Sequence, residues 1–195
     1  MIRYTFITVL LVLAAFVVQQ FLPALTGFHG SRIMLVQLVF LCCAVTVESP
    51  AMLLLAFICG FLWDANCVTG PQGGDPQIYT QPVESIRFGF SILLFAAMGA
   101  LMQGIQPLFK QGKWWFSALL SGIVIFIYLA AEYSMICFIR GGFILTKATL
   151  TQMAFSSLLT MLFSPIIFWI LFTVASLCQH SINPDADRRN RARIY

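Results

Sequence analysis

Apolar stretches dominate this chain, and a few charged positions punctuate them. Residues 4–31, 33–47, 49–63, 88–109, 114–131 and 148–184 contain no Asp, Glu, Lys or Arg. None of these runs alternates apolar with polar residues as an outer-membrane strand would. Backbone groups in lipid must be satisfied within their own segment, so runs of this length predict helices. A hydrocarbon core of ~30 Å takes about 20 helical residues. The spans expected are 4–22, 31–47, 50–63, 85–105, 114–139 and 152–178. Pro23 and Gly27 stop the first. Glu48-Ser49-Pro50 separates the second from the third, because Pro cannot continue a helix and also restricts the residue before it. The third is short unless it continues past Asp64, and Pro165 predicts a kink in the sixth. The pattern therefore predicts an all-α integral membrane protein. Residues 1–182 form a compact bundle of about six transmembrane helices, and 183–195 a short basic cytoplasmic tail.

Composition removes the competing classes. Of 195 residues, 60% are hydrophobic and 9% charged, against roughly half and a quarter in ordinary globular chains. A soluble fold of this length cannot bury so much apolar surface. A water-soluble enzyme and a disordered chain are both excluded. The net charge of +4 forms no basic stripe, which argues against a nucleic-acid partner. Cations near helix ends set orientation. With the N-terminus inside, Arg3, Lys110, Lys113 and the tail arginines Arg188, Arg189, Arg191 and Arg193 face the cytoplasm. Arg32, Arg87, Arg140 and Lys147 face the other side. Both termini are accordingly expected in the cytoplasm. No small-x-small cleavage site follows the first run, so it reads as an anchor rather than a removed signal peptide.

Candidate chemistry is sparse. Cys42, Cys43, Cys59, Cys67, Cys137 and Cys178 form no Cys-x-x-Cys pair and read as packing residues. His29 and His180 fall on opposite faces of the membrane, too far apart to share a metal. No cofactor or metal site is expected. The loop from Asp64 to Glu84 carries Gly70, Pro71, Gly73, Gly74 and Pro76 but lacks any phosphate-cradle pattern. Small residues recur at Ala96, Gly99, Ala100 and Gly104, and again at Ala118 and Gly122, a spacing that suits close helix packing within the bundle. Glu132 is the charge that the fifth span must carry inside the membrane, ~12 Å from its end at Arg140. Ionisable groups at such depth are costly and mark functional candidates. Its expected role is a structural pair with a cation such as Arg87. Asp64 ends the third span and Glu48 lies at an interface.

The run from Pro50 through Gly60 to Asp64 resembles the signature region of the MreD family of rod shape-determining proteins. In that family a Pro opens a helix that proceeds to Gly-x-x-x-Asp, a Gly-containing turn and the next helix. Here Pro50, Gly60 and Asp64 match, with Gly70, Gly73 or Gly74 as the turn. Length class, number of spans and the short polar tail agree across the chain, while the motif itself occupies residues 50–74. The loop departs from the family, with 71–82 resembling an insertion. The resemblance implies a non-catalytic scaffold of the cell-elongation machinery in the bacterial inner membrane. Such proteins bind MreC, a bitopic membrane protein, and work beside MreB, RodA and a class B penicillin-binding protein. It also implies a fold similar to the substrate-binding subunits of energy-coupling-factor transporters.

Two other readings use the same residues. A small-solute-binding subunit of a transporter would gather Glu132, Asp64, Asn66 and Arg87 around a pocket. A membrane enzyme would use Asp64 and Glu132 as an acid/base pair, which requires the two to be brought together.

Overall fold

Helix length sorts the elements into two kinds. The computed structural model describes residues 2–22, 31–68, 89–107, 114–140 and 147–177. Six helices run through them: α1 (Ile2–Phe21), α2 (Leu35–Thr46), α3 (Ser49–Val68), α4 (Phe90–Gly104), α5 (Trp114–Arg140) and α6 (Lys147–Leu177). No strand occurs among the described residues. α1, α3, α5 and α6 are long and apolar enough to cross a membrane. α2 and α4, at 12 and 15 residues, reach only ~18 and ~22 Å at 1.5 Å per residue. Of the about six spans expected, the described residues show six helices, four of them of spanning length.

Three boundaries differ from those expected. The second span was expected from residue 31, but the backbone from Ser31 to Met34 is not helical and α2 begins at Leu35. The third continues past Asp64 to Val68. The sixth begins at Lys147 and runs unbroken through Pro165. Arg87, His29, His180, the loop residues 69–88 and the tail 183–195 lie outside the described residues.

α2 is the hub. It contacts each of the other five helices, and every residue from Val36 to Thr46 is buried. The surrounding helices turn apolar side chains outward, among them Phe6, Phe57, Leu162 and Trp169. They turn Ser121, Thr160 and Ser164 inward. Ser121 and Thr160 donate to the carbonyls of Ala118 and Ser156 in their own helices, both at 2.6 Å. Lipid accepts the apolar exterior, and internal hydrogen bonds make the polar interior tolerable. Across the centre, Phe95 of α4 meets Phe40 of α2 edge-on at 5.1 Å and Tyr128 of α5 at 5.8 Å.

α3 and α4 come close together at Gly60. A Cβ built there would lie 2.5 Å from the backbone nitrogen of Ile92 in α4. Small residues elsewhere divide by position. Gly99 is buried, with Phe40 3.0 Å from where its Cβ would stand, and Gly122 similarly meets Met161 of α6 at 2.9 Å. Ala100 and Gly104 are exposed, and Gly104 faces open space.

Overpacking a tight core costs ~1–3 kcal/mol, and a backbone collision leaves no flexible side chain to yield. Gly60→Leu should lower the unfolding midpoint in detergent by about 5 °C or more. Gly104→Ala, with nothing to meet, should leave it within about 1 °C.

Candidate functional site

α3 carries all three motif residues. Gly60 and Asp64 are one turn apart and share a face, and that face meets the start of α4. Pro50 sits in the first turn of α3, where its missing N–H costs nothing. It is exposed, at the opposite end of the helix from Asp64.

Asp64 is 4% exposed. The backbone N–H of Gly89 donates to its Oδ2 at 2.6 Å. Gly89 precedes α4 with φ +99°, a left-handed conformation that favours glycine. Thus Gly60 lets the two backbones close, and Asp64 accepts a proton donor from the chain as it enters α4. A charge-assisted bond of this kind contributes ~1.5–3 kcal/mol.

Glu132, on α5, is half-buried, and the Asp64 carboxylate lies within electrostatic range of it. The two acids singled out from the sequence therefore come to the same region. Their surroundings differ. Asp64 is occupied by Gly89, whereas Glu132 lines a cavity of about 410 Å³ between α5 and α6. Leu129, Glu132, Tyr133 and Ile136 supply one wall at helical spacing. Thr149, Gln152, Met153 and Ser156 supply the other with the same spacing.

Arg32 and Met34 close the third side. This segment is pinned by side chains. The N–H groups of Arg32 and Met34 donate to Ser156 Oγ and Thr160 Oγ1 of α6, at 3.3 and 3.1 Å. Gln19 of α1 accepts from Leu35 N–H at 2.7 Å and donates to the Ile33 carbonyl at 2.8 Å.

Asn66 receives a hydrogen bond from Gln20 at 3.3 Å and does not line the cavity. Arg87, the cation expected beside Glu132, is outside the described residues. Arg32 shares the cavity instead and was not singled out as a site residue. The polar series Thr149, Gln152 and Ser156 on one face of an apolar helix was the available signal. Gly89 also escaped notice, because a single glycine before a helix carries no distinctive sequence mark.

Cys42, Cys43, Cys59 and Cys137 are buried free thiols. Among the described residues, no three His, Cys, Asp or Glu side chains are grouped to hold a metal. No family model, curated protein or solved structure matches the chain.

Removing the acceptor at position 64 leaves the part-buried Gly89 N–H without its partner, at about 1 kcal/mol. Asp64→Ala should lower the unfolding midpoint and accelerate hydrogen exchange at the Gly89 amide. Asp64→Asn keeps a carbonyl acceptor and should retain most of the protection.

Proposed function

We propose that this protein is a non-catalytic membrane scaffold of the bacterial cell-elongation machinery. It resides in the inner membrane with both termini cytoplasmic and binds an MreC-like bitopic protein. MreB, RodA and a class B penicillin-binding protein are its wider company. The reading rests on the resemblance of Pro50, Gly60 and Asp64 to the MreD signature.

The observation that supports it is the use to which Gly60 and Asp64 are put. Gly60 admits the backbone of Ile92, and Asp64 is tied to Gly89. Motif residues engaged in fixing one helix against another suit a protein that presents a rigid surface. Asp64 is not exposed as a reactive group, which weakens the acid/base reading. In the scaffold reading, the energy-coupling-factor-like bundle is kept as shape without transport.

The alternative is a small-solute-binding subunit of a transporter, and it is favoured by the cavity beside Glu132. Partner capture separates the two. Affinity purification in mild detergent should recover an MreC-like bitopic protein, and Gly60→Leu should reduce that recovery. Deleting the gene from a rod-shaped host should widen or round the cells. Cells of normal width and length after deletion would refute the scaffold reading, and recovery of transporter ATPase subunits instead would favour the alternative.

A further inference from the structure

The cavity between α5 and α6 contains two opposite charges that the scaffold role does not use. Arg32 is exposed, at the rim, and Glu132 is half-buried in the facing wall. Among the described residues, neither side chain forms an ion pair or side-chain hydrogen bond. Volume is adequate, since small-molecule sites occupy roughly 300–1,000 Å³, and this one has about 410 Å³.

We propose that this cavity binds a zwitterionic headgroup, with its anionic part at Arg32 and its ammonium at Glu132. The charge pattern selects that class. A simple anion would satisfy Arg32 and face the Glu132 carboxylate, and a simple cation would meet the reverse problem. A neutral ligand would desolvate both charges with nothing in return. One group carrying both signs matches both walls.

The surroundings favour an amphiphile as the source. The cavity opens to the outside of the bundle. Leu150 and Phe155 of α6 are exposed, each next in sequence to a lining residue, and offer apolar surface to a chain. Leu129, Ile136 and Met153 add apolar lining within. A phospholipid bearing phosphate and ammonium on one headgroup meets these conditions. A free zwitterion would share the headgroup chemistry without needing the apolar flank. The inference concerns a ligand and does not depend on the scaffold reading.

Native mass spectrometry of the full-length protein in mild detergent tests it, with phosphatidylethanolamine, phosphatidylglycerol and free phosphoethanolamine as probes. The wild type should retain phosphatidylethanolamine with about a tenfold preference over phosphatidylglycerol. Arg32→Gln and Glu132→Gln should each remove that preference, and Arg32→Lys and Glu132→Asp should keep part of it. Binding of phosphoethanolamine without retention of either lipid would support the zwitterion site and assign it to a free solute. Equal retention of both lipids by the wild type, with no binding or displacement by phosphoethanolamine, would overturn the proposal. The wild-type comparison decides even if the charge-neutral variants fail to fold.

Discussion

A helix wrapped on all sides by its neighbours must satisfy its end groups from them, and α2 lives under that constraint. Its 12 residues are too few to carry its termini to the aqueous phases on both sides. Backbone groups at each end must therefore find partners in the protein. At the start, Gln19 of α1 and Thr160 of α6 supply them. At the finish, Gln106 donates to the Val47 carbonyl at 3.1 Å, and Thr46 bonds to Cys43 while accepting from Tyr4. Three neighbouring parts of the chain thus hold positions dictated by the needs of one short helix. The wall at Arg32 and the packing of α1 and α6 follow from the same bonds.

The α3–α4 junction solves a different problem. α4 is short, apolar and begins at a left-handed glycine rather than a capping side chain. Asp64 compensates from the neighbouring helix, and Gly60 permits the distance at which it can do so. The pair is spaced by one helical turn because both must point at the same neighbour. A Gly-x-x-x-Asp pattern therefore has a mechanical meaning: the small residue sets the separation, and the acid fixes the register.

Much of this arrangement was legible in the uncharged runs. Residues meeting lipid must be apolar, so helix number and rough limits followed from where charges interrupt them. Span length did not follow, because the apolar run 31–47 has the same composition whether it meets lipid or protein. Val36 to Thr46 being buried on all sides is a tertiary fact. The site was half legible. Glu132 was conspicuous as a charge in an apolar helix, and Asp64 through its motif. That Arg32 lines the same cavity as Glu132 depends on how α1 and α6 hold the segment before α2. No local pattern encodes that position.

The shortness of α2 also bears on how the helices are paired in the membrane. Alone, α2 would leave part of the hydrocarbon thickness uncrossed and its polar ends stranded in lipid. It packs along α1, whose Gln19 holds its first turn. The two run antiparallel as a hairpin, with Tyr4 bonded to Thr46 at one end and Gln19 to Leu35 at the other. α4 is similarly short and lies against α3, giving a second hairpin of the same design. In each pair a long helix lies against a short one whose own length falls short of the hydrocarbon core.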